Sequence, residues 1–139
     1  MDDPYNLQRF VSAQNPFFDQ VCSELRRGRK MGHWMWFIFP QLEGLGSSWM
    51  ASKYGISSRE DAEAYLKHPI LGPRLRDCTS IVNRVEGRSV EKIFGSIDTL
   101  KFRSSVTLFA NVTQDNAVFL EALEKYFSGQ PDPRTLERL

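Results

Sequence analysis

The chain has 139 residues, the size of one domain able to bury a single continuous core without disulfide or metal staples. Eighteen basic and seventeen acidic residues leave a formal charge of +1 and no run of five like charges, so no nucleic-acid arm is expected. The longest apolar run is far short of the ~20 residues that cross a bilayer, and the opening MDDPYNLQRF has no secretory pattern, so a cytoplasmic protein without membrane contact is expected.

Leu7, Phe10 and Val11 recur at i, i+3 and i+4 and predict a short first helix. Asn15 followed by Pro16 reads as an N-cap and first helical residue, and Phe18, Val21, Cys22 and Leu25 form one stripe that Gly28 stops. Cys22 and Cys78 fall in separate helical patterns without Cys-x-x-Cys spacing and read as small buried hydrophobes in a reducing compartment. The basic cluster Arg26, Arg27, Arg29 and Lys30 reads either as a helix C-terminus complementing the macrodipole or as an anion-attracting rim.

Trp34 to Phe39 is uniformly apolar, so periodicity alone does not choose between strand and helix. Pro40 biases Phe39 toward an extended conformation, yet the chain offers almost no strand patterns to pair with it. A short buried helix ending before Pro40 is therefore expected. Ser48 is positioned to cap a helix through Trp49, Met50 and Tyr54, with Gly55 as a left-handed terminator. Ser57 and Ser58, with Glu60 and Asp61 in the first turn, start another helix that His68-Pro69 closes. There His68 reads as a helix-end residue bonding a free carbonyl.

Leu71, Leu75, Cys78, Val82 and Val85 step by four and three, the clearest amphipathic period in the chain. Ser89 to Gly95 reads as a compact capped turn of helix. From Ser96 or Asp98 a long segment follows with Leu100, Phe102, Val106 and Phe109 as its apolar face and Lys101, Ser104, Ser105 and Thr107 as an unusually polar complement. Phe119, Leu123, Tyr126 and Phe127 mark another helix, and Asp132-Pro133 caps a tail. About eight short helices with short loops define an all-α fold, a single domain over residues 1–139.

The chemistry-bearing residues cluster around the central stretch Gly32 to Ser48. Polar groups at the rim of an aromatic wall make a candidate pocket. His33 and Glu43 flank the wall and are a candidate general acid–base pair if the chain folds back at Pro40; the alternative is a packed histidine. Gly46, Ser47 and Ser48 before a helix are a candidate phosphate cradle, or simply a turn and an N-cap. Asp98, Lys101 and Ser104 lie near one helix face and read either as ligand contacts or as a buried network fixing helix register. Two histidines without clustered acids or cysteines make no metal site, and no cofactor is expected.

The blocks HWMWFIFPQLEGLGSS (His33 to Ser48), AEAYLKHPILGPRL (Ala62 to Leu75) and IFGSIDTLKFRSSVTLF (Ile93 to Phe109) closely resemble domain-of-unknown-function family 1810, small bacterial and fungal proteins typified by a mycobacterial hypothetical protein. The resemblance spans nearly the whole chain and implies an all-helical fold of its own type, without supplying an activity. Some members carry the label calpastatin, but this aromatic-rich, core-patterned chain is unlike that disordered inhibitor. A second likeness is to the ADP-ribose-linked N-glycosidase superfamily of riboflavin-pathway type. There the order of His68 and then Phe94-Gly95-Ser96-Ile97-Asp98, with Lys101, is similar. The chain departs from that pattern in having His33 before Trp34 and its acid, Glu43, only afterwards.

Two functions emerge. The first is a small-molecule site for a phosphate-bearing, nucleotide or ADP-ribose-like ligand: Trp34 or Trp36 stacks a base, Gly46 to Ser48 takes phosphate, and Gln41, Lys101 and Ser104 add polar contacts. Glu43 or Asp98 acts as base or sugar ligand, and glycosidic-bond hydrolysis suits the set better than nucleophilic catalysis, for which no Cys–His or Ser–His–Asp pattern is visible. The second is a non-catalytic helical module that binds a protein through an aromatic patch.

Overall fold

The helical periods of the sequence become ten helices in a computed structural model that describes residues 2–139. In chain order these are α1 (Gln8–Gln14), α2 (Phe18–Arg26), α3 (Met35–Ile38), α4 (Trp49–Lys53), α5 (Arg59–Lys67), α6 (Leu71–Arg84), α7 (Val90–Phe94), α8 (Ser96–Ala110), α9 (Ala117–Phe127) and α10 (Pro133–Glu137). The fold is all-α, with more and shorter helices than the expected eight. Four of them, α3, α4, α7 and α10, span only four or five residues each, lengths that packing rather than intrinsic propensity holds in place.

The centre of the packing is α8, which lies against α5, α7, α9 and α10, while α6 packs on α2, α5 and α9. Phe102 on α8 is fully buried and stacks on Phe94 with ring centroids 4.8 Å apart; Phe39 meets it edge-on at 5.0 Å. From Ser104 to Ala110 α8 is buried throughout, and polar groups under cover need partners; Ser105 Oγ has none, but other hydroxyls of the helix do. The Thr99 hydroxyl donates to the Gly95 carbonyl at 2.7 Å, the Ser104 hydroxyl donates to the Leu100 carbonyl at 3.0 Å, and Thr107 Oγ1 accepts from the Asp132 amide at 2.9 Å. Leu100, expected on the apolar face, instead points outward and is 64% exposed, as is Ile97 at 70%. The buried face continues through Thr99 and Ser104 in their place.

The aromatic run behaves as expected. Trp34, Met35, Phe37, Ile38 and Phe39 are buried, and the helix ends at Ile38. After Pro40 the chain makes one isolated parallel bridge between Leu42 and Ile56; the Glu43 amide donates to the Ile56 carbonyl at 2.9 Å. That pairing explains Gly55. Its φ is not positive, so it is not the left-handed terminator expected; a Cβ there would stand 2.6 Å from Glu43 Cβ, and only glycine allows the two segments to approach.

Two caps also differ from expectation. Asn15 does not cap α2, which begins after Phe17 without a side-chain cap; its Oδ1 accepts from Arg74 Nη1 at 3.0 Å, tying α1 to α6. His68 bonds no carbonyl with its Nδ1. That nitrogen accepts from the Ile70 and Leu71 amides at 3.1 and 3.2 Å, so the ring caps the start of α6 rather than the end of α5. Ser48, Ser58 and Ser89 cap α4, α5 and α7 as their sequence positions predict.

Candidate functional site

The site begins with a buried carboxylate that sequence reasoning missed. Glu24 on α2 accepts from the Met31 amide at 2.6 Å, the Gly32 amide at 2.9 Å and the Trp34 indole N–H at 3.0 Å through Oε1, and from Gln20 Nε2 at 2.7 Å through Oε2. Burial alone would raise its pKa, but these four donors outweigh it and hold the carboxyl down at about 2. The available signal was its spacing, three residues after Val21 on the side of the helix that faces inward.

Glu24 thereby shapes the segment from Met31 to Trp34, and the Lys30 amide pins it further by donating to the Ile93 carbonyl at 2.7 Å. Lys30 and α3 are thus brought up against the start of α8, 58 or more residues later in the chain. Between them lies an open cleft of about 410 Å³ whose lining includes Lys30, His33, Trp36, Gly95, Asp98 and Lys101. Gly95, with φ +84°, is at once the C-cap of α7 and the N-cap of α8, and no side chain caps the free amides that follow it.

Charge in this cleft is unevenly balanced. Lys30 Nζ pairs with Asp98 Oδ2 at 2.8 Å and Lys101 Nζ reaches Asp98 Oδ1 only at 3.5 Å; the two lysine side chains are 9% and 20% exposed. Two largely buried lysine side chains therefore share one carboxylate at the positive end of the longest helix, Lys30 Nζ also donating to the Gly32 carbonyl at 2.6 Å. Lys101 also lies 4.3 Å over the Trp36 ring, a cation–π contact. The Trp36 indole N–H is shut off from solvent and has no acceptor, which is unusual for a buried donor.

The structure divides the residues singled out from the sequence among three clefts. His33, Trp36, Asp98 and Lys101 meet in the first. Gln41, Gly46, Lys101 and Ser104 line a second, of about 270 Å³, which shares Ile97 and Lys101 with the first. Glu43, Ser47 and Ser48 line a third, of about 430 Å³, together with Arg138. The first and third share no residue, so His33 and Glu43 are not brought together as an acid–base pair. Trp34 is 1% exposed and is core, not a stacking platform. Ser48 Oγ already accepts from the Ala51 amide at 3.1 Å and serves as the cap of α4. Ser104 Oγ is likewise occupied by Leu100 and Asp132. Among the described residues no group of three or more His, Cys, Asp or Glu could hold a metal ion, and no helix is long and apolar enough to cross a membrane.

This arrangement of helices packed around α8 is shared with a solved structure. The crystal structure of the conserved hypothetical protein Rv1873 from Mycobacterium tuberculosis is 58% identical, with 99% of this chain and 98% of that chain covered and a TM-score of 0.98. The chain belongs to the family described as protein of unknown function (DUF1810), whose model matches residues 4–139. None of the curated proteins compared with the chain matches it.

Proposed function

We propose that the protein binds a phosphate-bearing, nucleotide-type ligand in the cleft between α3 and the start of α8. One observation carries this reading: Lys30 and Lys101, both largely buried, share the single carboxylate of Asp98 beside the uncapped amides of α8. Buried charge is stable when balanced, and a helix N-terminus already favours an anion. A ligand phosphate completes the balance, with Lys101 the more loosely held of the two cations. Trp36 supplies a flat apolar wall for a base or similar ring.

An ADP-ribose-like compound is the finer form of this proposal. Hydrolysis of a glycosidic bond is the reaction the set would support, with the Asp98 carboxylate stabilising positive charge on the sugar carbon and His33 as the further protonatable group in the cleft. Thermal denaturation with inorganic phosphate, AMP, ADP and ADP-ribose tests binding. Ligand-selective increases in Tm of several degrees are expected with the ring-bearing compounds, lost in Lys101→Ala; no response to any of the four contradicts the proposal.

A second reading, a non-catalytic interaction module, is favoured by the exposed Ile97 and Leu100 on the first turns of α8. Large apolar side chains displayed together mark contact surfaces.

A further inference from the structure

The cleft beside the first one carries more positive charge than it balances. It measures about 270 Å³ and shares the side chains of Ile97 and Lys101 with the first. Arg103 from α8 and Arg134 from α10 add two guanidinium groups to its lining. Arg103 is held in place by carbonyls rather than by an acid: its Nε donates to the Gln130 carbonyl at 3.0 Å and its Nη2 to the Pro131 carbonyl at 3.2 Å. Arg134 Nη2 donates to the Leu45 carbonyl at 3.3 Å. Among the described residues neither guanidinium forms an ion pair with a carboxylate. The acid in the lining is Asp132, whose Oδ2 accepts from the Thr135 amide at 3.1 Å and the Thr135 hydroxyl at 2.6 Å and so caps α10. Two guanidinium groups and a share of Lys101 therefore face one carboxylate that is already engaged within the fold.

We infer that the ligand of the first cleft extends past Lys101 into the second, and that the extension ends in an acidic group, a carboxylate or a phosphate. The inference rests on the nucleotide reading above and narrows its ligand to nucleotides that carry an acid beyond the diphosphate, a group that ADP lacks. Because Ile97 and Lys101 line both clefts, one molecule can touch both. A guanidinium presents its N–H groups as a flat fork that matches two oxygens of a carboxylate or phosphate. An arginine already fixed by carbonyls, as Arg103 is, loses less freedom on binding than a free one. Ile97 and Leu100, 70% and 64% exposed, give the neutral part of the extension an apolar surface to cover. A neutral extension would cover the two guanidinium groups without pairing them, which opposes binding. An acidic one supplies the missing countercharge.

The test is isothermal titration calorimetry on the full chain, in magnesium-free buffer, with two pairs of compounds that differ by one acid. UDP-glucuronate against UDP-glucose reads a carboxylate, and ATP against ADP reads a phosphate. The acidic member of at least one pair is expected to bind about tenfold more tightly than its partner, the scale of one charge-assisted hydrogen bond, and the pair that shows it identifies the acid. Arg134→Gln alters an exposed side chain with a single long bond to the fold, and there the ratio is expected to fall about threefold. Ratios near one in both wild-type pairs, or a preference unchanged in Arg134→Gln, overturn the inference and leave the nucleotide reading standing. Failure of all four compounds to bind overturns both.

Discussion

The Trp34 indole N–H donates to Glu24 Oε1 at 3.0 Å, joining α2 to the entrance of α3. The same oxygen accepts the Met31 and Gly32 amides, so a single carboxylate organises the strap that carries Lys30 and His33 to the cleft. Glu24→Ala strands these donors under cover and is expected to cost about 3 kcal/mol, in the range for losing charge-assisted hydrogen bonds with their partners left buried. Glu24→Gln, which keeps an acceptor oxygen, is expected to lose less. Urea unfolding midpoints check both, and a Glu24→Ala midpoint equal to wild type contradicts the assigned role.

The depressed pKa of Glu24 makes stability depend on pH in a stated direction. Its folded value is about 2 against an ordinary 4.5, so the folded state holds the proton less tightly than the unfolded chain. The contribution is fully present above about pH 4.5 and is lost as the pH falls through 2, a loss of about 3 kcal/mol from this group. Denaturation measured from pH 6 down to pH 2 is expected to show this decline in wild type and a shallower one in Glu24→Gln.

Trp34 and Trp36, two residues apart, are expected to fail differently. Trp34→Ala removes a fully buried ring and is expected to cost about 3–5 kcal/mol. Trp36 is only partly buried, so Trp36→Ala is expected to cost less than half of that while abolishing the Tm response to AMP. Equal losses of stability in the two variants would place Trp36 in the core rather than at a site.

Gly72 lies within α6, where alanine would ordinarily gain about 1 kcal/mol from helix propensity. A Cβ at this position, however, would stand 2.1 Å from the Leu66 carbonyl oxygen. Backbone cannot yield as a flexible side chain can, so the clash wins and Gly72→Ala is expected to destabilise by about 1–3 kcal/mol. A rise in Tm in that variant would show that α5 and α6 are less tightly apposed.

The helices were legible wherever one face repeats, as with Leu71, Leu75, Cys78 and Val82, and wherever a serine stands before the repeat, as with Ser58 and Ser89. What stayed hidden was set by contacts between distant segments. Gly55 looked like a helix terminator because nothing local reveals the bridge that brings Glu43 against it. Asn15 looked like a cap because Arg74, its actual partner, comes 59 residues later. The site followed the same rule. Four of its nine lining residues, His33, Trp36, Asp98 and Lys101, stood out by type, but Glu43 and Ser48 stood out equally and line a different cleft. Glu24 was passed over because a charged residue beside an arginine-rich helix end reads as solvated, and only the fold shows the donors converging on it.

The central claim, that an anionic ring-bearing ligand occupies the cleft at the start of α8, is tested most directly by a ¹⁵N NMR titration of the full chain with ADP. The account predicts saturable shifts confined to the Gly95 to Asp98 amides and the Trp36 indole N–H, absent in Lys101→Ala. Shifts centred on Gly46 to Ser48, or no saturable shift anywhere, would contradict it.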